Sequence, residues 1–132
     1  MLQLVYVSTA APGAIIDPEA MLAKARHNNR RDGITGMLFS DGVRFLQAME
    51  GPVEHVQRTF DRIRTDSRHR ALVVLSKREI AAREFGDWDM AYYDRHRREE
   101  FVARVYELTA NAAPDVRATI EGFVALRTAM PR

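Results

Sequence analysis

The sequence contains no cysteine. This absence excludes disulfide bonds, thiolate metal sites and a thiol nucleophile. The chain also lacks any apolar run near the roughly 20 residues that a membrane-spanning helix needs. Its first residues, MLQLVYVSTAAPG, carry no basic leader. Together these features predict a soluble, cytoplasmic protein with no membrane partner.

Motifs of catalysis are also missing. The sequence has no P-loop, no GxGxxG and no Ser-His-Asp arrangement. Glu50, Glu54 and Asp61 are interpreted as solvated charges rather than as an acid–base pair. The four histidines lack the spacing of metal ligands, so no metal site is expected at His27, His55, His69 or His96. We therefore do not expect an enzyme.

Charge of one sign is not in large excess. The 132 residues include 20 basic and 18 acidic ones, largely interspersed, which indicates a solvated surface. Two short basic clusters, at 68–70 and 95–98, are not interleaved with aromatic residues as in a single-strand binder. Nucleic acid is therefore an unlikely partner. The hydrophobic share of 46% is enough for one globular domain with a real core.

Hydrophobic periodicity divides the chain into strands and helices. Asp17-Pro18-Glu19 predicts the start of a helix that runs to about Asn29. Strands are predicted at 2–8, in a hairpin over 34–51, at 71–80 and at 88–93. The strand at 71–80 is apolar on both faces and is predicted to be central. A second helix after Pro52 has the predicted apolar stripe Val53, Val56, Phe60 and Ile63.

The element order βαββαβ(β)αα predicts an α+β sandwich of the ferredoxin-like kind, with two helices on one face of the sheet. The last two helices are expected at about 97–111 and 114–128. The second sheet face is apolar too and needs a cover. The C-terminal helix pair is one candidate and a partner subunit is the other. The residues of this face are Val5, Val7, Met37, Phe39, Leu46 and Ala48.

A glutamine interrupts the apolar face of the strand VRFLQAMEG. Strand alternation places Gln47 on the same face as Phe45 and Met49. Burying its amide without partners would cost about 1–3 kcal/mol. Other polar side chains converge on this helix-side face, namely Tyr6, Ser8, Asn28 and Asn29. They form either a satisfied polar cluster in the core or the surroundings of a flat ligand with carbonyls and ring nitrogens.

Five spaced motifs resemble one family. They are YVSTA (6–10), HNNRRDGITG (27–36), FLQAMEG (45–51), DSRH (66–69) and IAAREFGDWDM (80–90). In this order they are similar to the BLUF domain, a blue-light sensor that uses FAD. The resemblance covers roughly residues 1–95, so we expect a photosensor domain there and a helical extension, acting as cap or output, over 96–132.

The resemblance implies a role for each matching residue. It makes Tyr6 and Gln47 the photochemical pair, with Ser8, Trp88 and Met90 as auxiliary residues. It implies non-covalent binding of FAD, with FMN possible. The implied cofactor-binding residues are Tyr6, Met21, Asn28, Asn29, Gln47, Ile63, Arg68 and His69.

The implied mechanism has no chemical product. Electron and proton transfer from Tyr6 through Gln47 would rearrange the hydrogen bonds of the flavin and shift its absorption to the red. Gln47 would end rotated or tautomerised, and the sequence leaves both open. The expected partners are further copies of the chain, as a dimer or larger, and a separate downstream protein. The alternatives are a non-photoactive flavin- or ligand-binding regulatory module and a flavin-dependent redox enzyme.

Overall fold

The computed structural model describes residues 1–13, 18–40, 44–84, 89–92, 98–110 and 113–128. They form five strands and four helices. In chain order these are β1 (Leu2–Ala10), α1 (Pro18–Asp32), β2 (Thr35–Ser40), β3 (Arg44–Gly51), α2 (Val53–Arg64), β4 (His69–Glu79), β5 (Asp89–Tyr92), α3 (Arg98–Thr109) and α4 (Pro114–Thr128). No helix in these ranges is both long and apolar enough to cross a membrane.

The strands form one sheet in the order β4-β1-β3-β2-β5. The first four are antiparallel, and β5 adds a short parallel strand beside β2. The predicted ferredoxin-like α+β fold is confirmed. It places β1 and β3 in the centre of the sheet, where each strand has a neighbour on both sides.

The prediction of a central β4 is wrong, because β4 lies at the edge of the sheet and pairs with β1. Its residues Val73, Val74 and Leu75 are 53%, 42% and 40% exposed. A run of β-branched and aliphatic residues favours a strand wherever it lies. The local pattern reports that preference, whereas the position in the sheet is decided by the order in which strands pair.

Helix α2 packs on one face of the sheet. Val56 and Phe60, one turn apart, are buried against a cluster that includes Leu4, Tyr6 and Met49. Ile63 is half-buried and packs against the same cluster. Val53, predicted to belong to this stripe, is instead 44% exposed, because it is the first residue of the helix and lies outside the cluster.

Helices α3 and α4 cover the second face. Val105 of α3 and Ile120 of α4 are buried in one cluster with Phe39 and Leu46 of the sheet. The Phe39 and Phe123 rings meet edge to face with centroids 5.7 Å apart. Of the two predicted covers, the C-terminal helix pair and a partner subunit, the helix pair is the one that packs on this face.

Gly36 allows three strands to meet closely. A Cβ atom at this position would lie 1.9 Å from the carbonyl oxygen of Ala48, so no other residue fits. The parallel pairing of β2 with β5 shifts register between Gly36 and Met37. The glycine thus lies where β5 joins the antiparallel sheet.

Candidate functional site

The glutamine that interrupts β3 has a partner on β1. Tyr6 and Gln47 lie directly opposite each other in the antiparallel β1–β3 pair. Both side chains are buried, and the Tyr6 hydroxyl donates a hydrogen bond to Oε1 of Gln47. The Tyr6 ring meets the ring of Phe60 edge to face, with centroids 5.7 Å apart. The sheet register and helix α2 together fix the orientation of the tyrosine.

The environment keeps the Tyr6 phenol protonated. Burial, and secondarily the negative charge of Asp66, raise the pKa of Tyr6 well above its ordinary value. The hydroxyl is therefore a hydrogen-bond donor at any physiological pH. Gln47 must then present its carbonyl oxygen to Tyr6, which directs the amide nitrogen elsewhere.

A second carboxamide lies at the end of α1. Asn29 is buried, and its main-chain carbonyl accepts a hydrogen bond of 2.8 Å from the Ile34 N–H. Its side-chain nitrogen Nδ2 is buried with no partner among the described residues. Ile34 belongs to the same buried cluster as Tyr6, so the main chain of Asn29 adjoins a residue of that cluster. His27 is exposed and Asn28 is half-buried, so Asn29 is the most buried of these three residues.

These groups fit the edge of a flavin ring. Its pyrimidine part presents carbonyl acceptors beside a ring N–H, and an amide side chain can serve both kinds of group. The buried donor of Asn29 has no acceptor in the part of the chain that the structure describes, and leaving it so would cost about 1–3 kcal/mol. The apolar side chain of Ile63 packs beside the same cluster. A bound heterocycle can satisfy the one group and pack against the other.

His69 lies at the far end of the same sheet face. Its Nδ1 atom is 2.9 Å from Oγ of the buried Ser8. Its ring lies 4.8 Å from that of Phe45, centroid to centroid. Burial lowers the pKa of His69 below its ordinary value, against the opposing charge of Asp66, and so favours the neutral imidazole. The role of Phe45 in holding His69 was missed in the sequence, although alternation placed Phe45 on this face.

Arg68, predicted beside His69, points to solvent. Its guanidinium lies 2.6 Å from the carboxylate of Asp66, and the arginine side chain is half exposed. The hydrogen bond from Arg68 lowers the pKa of Asp66 to about 2. Of the neighbouring pair, the structure thus brings His69 to the inner face, while Arg68 lies in an exposed turn.

The side chains of three predicted residues lie outside what the structure describes. Met21 belongs to α1 and Met90 to β5, but the description does not extend to their side chains. Trp88 falls in the range 85–88, which is not described. Their assignments stay predictions.

The interpretation of Glu50 as a solvated charge is wrong. The residue is fully buried on the second sheet face. Its carboxylate accepts a hydrogen bond of 2.9 Å from Nε2 of Gln3 and two, of 3.1 and 2.9 Å, from the backbone N–H of Glu84. The segment after β4 folds back over this end of the sheet, which the local sequence does not show.

Comparison with known proteins identifies the family. The family description "BLUF: Sensors of blue-light using FAD" matches residues 1–91. The chain is 33% identical over 91 residues to the "Blue light- and temperature-regulated antirepressor BluF" of Escherichia coli (strain K12), which covers 67% of this chain and 23% of BluF. This chain therefore spans less than a quarter of that relative.

Solved structures agree with this result. BlrP1 of Klebsiella pneumoniae, solved with FMN and cyclic diGMP, has a TM-score of 0.77 at 31% identity, over 95% of this chain and 35% of BlrP1. The dark-state structure of BlrB, "a BLUF protein", has a TM-score of 0.68 at 29% identity, over 95% of this chain and 96% of BlrB.

The shared part of these proteins is the light-sensing domain, and its activity is sensing rather than enzymatic catalysis. The cofactor of the family is FAD, and BlrP1 was solved with FMN. The chain belongs to the BLUF family, the sensors of blue light using FAD.

Proposed function

We propose that Tyr6 and Gln47 carry the photoresponse of this blue-light sensor. Bound FAD supplies the absorption of blue light and the oxidising power of the excited state. Tyr6 is the residue placed to give up an electron, because its hydroxyl proton is already hydrogen-bonded to Gln47 and can leave with it. This buried hydrogen bond is the single observation that carries the proposal.

Gln47 is the residue that stores the change. The Tyr6 proton would pass to the carbonyl oxygen of Gln47 while the amide nitrogen gives a proton to the bound flavin, which would also take the Tyr6 electron. The resulting tautomer of Gln47 can rotate, which exchanges the places of donor and acceptor. When the electron and a proton return to Tyr6, Gln47 stays as the rotated amide or as the tautomer until it relaxes in darkness. The buried position of both residues keeps water from competing for these hydrogen bonds.

Cofactor binding is assigned to the inner face. Asn29 holds the polar edge of the flavin through its unmatched amide nitrogen, Ile63 packs against the ring, and His69 with Ser8 lies toward the opposite end. Asn28 and Met21 are further proposed cofactor contacts, and Arg68, in its exposed turn, is assigned to the ribityl or phosphate end of the flavin. Trp88 and Met90 act as auxiliary residues of the photoresponse.

The output passes to other proteins. We take residues 1–95 as the sensor and 96–132 as its cap and output segment. The relative BluF is named an antirepressor, which favours a separate protein as the downstream partner. We further propose that the chain forms a dimer or larger homo-oligomer and acts in the cytoplasm. The molecular mass from light scattering tests the oligomeric state, and cell fractionation tests the location.

The absorption spectrum before and after blue light tests the function. The purified protein is expected to be yellow, with one flavin per chain, and its absorption should shift to the red under blue light and return in darkness. Reconstitution with FAD and FMN in parallel shows which flavin binds more tightly. A yellow protein without the shift would instead be a non-photoactive flavin module, and a protein that takes up neither flavin would refute the reading.

Two adjacent asparagines offer a matched test of the binding site. Asn29→Ala removes the buried donor and should weaken flavin binding by about 1–3 kcal/mol, or roughly 5- to 150-fold in Kd. Asn28→Ala removes the same group from the half-buried neighbour and should have the smaller effect. Flavin-release titrations of the two variants measure the difference. A wild-type Kd in Asn29→Ala would remove Asn29 from the site.

A further inference from the structure

A polar anchor joins the segment after β4 to the end of β3. Arg83 donates through Nη1 to the carbonyl oxygen of Glu50 at 2.7 Å and through Nη2 to the carbonyl oxygen of Gly33 at 2.7 Å. The same Nη1 lies 2.6 Å from Oγ1 of Thr35. One planar guanidinium thus connects Gly33, two residues before β2, with the start of β2 and the end of β3.

The residue after Arg83 is held as firmly. The backbone N–H of Glu84 donates to both carboxylate oxygens of the buried Glu50, at 3.1 and 2.9 Å. The Glu84 carboxylate lies 3.2 Å from Nη1 of Arg78, which also donates to Oε1 of Gln3 at 3.3 Å. Gln3 in turn donates to Glu50, so the polar contacts close on themselves across β1, β3, β4 and the segment.

A buried carboxylate is costly, and its position here is specific. Taking an ion out of water costs several kcal/mol unless hydrogen bonds replace those of water. Most of the second sheet face is apolar and covered by helices, yet Glu50 occupies its end with full burial. An apolar residue at this position could pack but could not accept hydrogen bonds. The carboxylate of Glu50 accepts them, and it thereby holds the backbone N–H of Glu84 in one position.

The anchored segment leads directly to β5. Asp89, the first residue of β5, comes five residues after Glu84, so an extended chain sets a limit of roughly 17 Å between them. Strand β5 is four residues long and pairs with one strand, β2, with a shift of register. A short strand of this kind is weakly held by its own hydrogen bonds. The connection limits how far its first residue can lie from the anchored Glu84.

The anchor and the photochemical pair share a strand. Glu50 follows Gln47 by three residues in β3. Across the β2–β3 pair Leu38 lies opposite Gln47, and across the β2–β5 pair Tyr92 lies beside Leu38. Strand β5 is therefore connected to β3 in two ways. One connection runs through β2 at the level of Gln47, and the other runs through the anchor at Glu50.

We propose that Glu50 and Arg83 are positioning residues for the light signal: they hold the segment entering β5 to the strand of Gln47, so that a change at Gln47 is passed to β5. The proposal rests on the proposed function of Tyr6 and Gln47. Loosening the anchor leaves the chemistry of the pair in place but lets β5 occupy several positions, which uncouples its state from that of Gln47.

The test uses the flavin-loaded full chain and its single tryptophan. Trp88 lies between Glu84 and β5 in sequence, so its emission reports on this segment without a label. The variants are Arg83→Met, Arg83→Lys and Glu50→Gln. Arg70→Met and Glu54→Gln are matched controls at exposed positions. Three quantities are measured at equal flavin occupancy: the red shift, the rate of dark recovery and the light-minus-dark difference in acrylamide quenching of Trp88.

We expect Arg83→Met and Glu50→Gln to keep the full red shift, to change dark recovery about two- to thirty-fold and to lose most of the quenching difference. Arg83→Lys should be intermediate, since one ammonium cannot fork across two carbonyls. Both controls should match the wild type. If Arg83→Met does not fold, the two conservative variants decide.

Different results would contradict the positioning role of the anchor and the proposed function of Tyr6 and Gln47. A wild-type red shift together with unchanged recovery and quenching in the anchor variants would overturn the positioning role alone, even if these variants melt earlier. Absence of the red shift in the flavin-loaded wild type would overturn the proposed function, and the positioning role with it.

Discussion

Tyr6→Phe should abolish the light-induced red shift while leaving flavin binding nearly intact. The substitution keeps the ring and its edge contact with Phe60 and removes the hydroxyl that donates to Gln47. Without it no proton is poised toward the glutamine, and a phenyl ring is a far poorer electron donor than a phenol. The lost hydrogen bond should also lower the free energy of unfolding by about 1–3 kcal/mol. Light-minus-dark spectra at equal flavin occupancy provide the measurement.

Gln47→Leu separates the donor from the relay. It keeps the side-chain volume roughly and removes both polar functions, so the red shift should again be lost. Flavin fluorescence should still be quenched, because the Tyr6 phenol remains. Trp88→Phe serves as the comparison and should keep the shift while altering dark recovery or transmission. A full wild-type shift in Tyr6→Phe would show that the assigned role of Tyr6 is wrong.

Deletion of residues 94–132 should leave a chain that aggregates or associates. The deletion removes α3 and α4, which bury the second sheet face. Full exposure of a large apolar side chain costs about 1.5–3 kcal/mol, so uncovering Val5, Phe39 and Leu46 alone costs on the order of 5–9 kcal/mol. That amount matches the whole stability of a typical domain. Size-exclusion chromatography with light scattering, and the yield of soluble protein, measure the outcome.

A single substitution tests the same packing without deletion. Ile120→Ala empties a fully buried position of α4 and should cost about 2–5 kcal/mol of unfolding free energy. Val53→Ala, at an exposed aliphatic position of α2, should cost no more than about 0.5 kcal/mol.

A soluble, monomeric and photoactive 1–93 fragment would show that the helices serve output without being part of the core.

Local patterns in the sequence determined the elements and the faces of the sheet. Strand alternation alone put Tyr6, Ser8 and Gln47 on the same face of the sheet, the one on which α2 packs. In the structure all three side chains are buried. Helical periodicity likewise identified Val56 and Phe60, and the apolar second face called for the cover that α3 and α4 supply. These features repeat every two residues in a strand and every three to four in a helix, so a short stretch is enough to reveal them.

The tertiary structure alone decided which distant residues meet. The edge position of β4, the burial of Glu50 beneath Glu84 and the outward turn of Arg68 beside an inward His69 depend on contacts between residues far apart in the chain or on the direction of a turn. The same apolar run makes a central or an edge strand, and the same carboxylate is solvated or buried, according to what folds over it. Periodicity carries no information about such neighbours, because they are selected by the sum of packing and hydrogen bonding across the whole sheet.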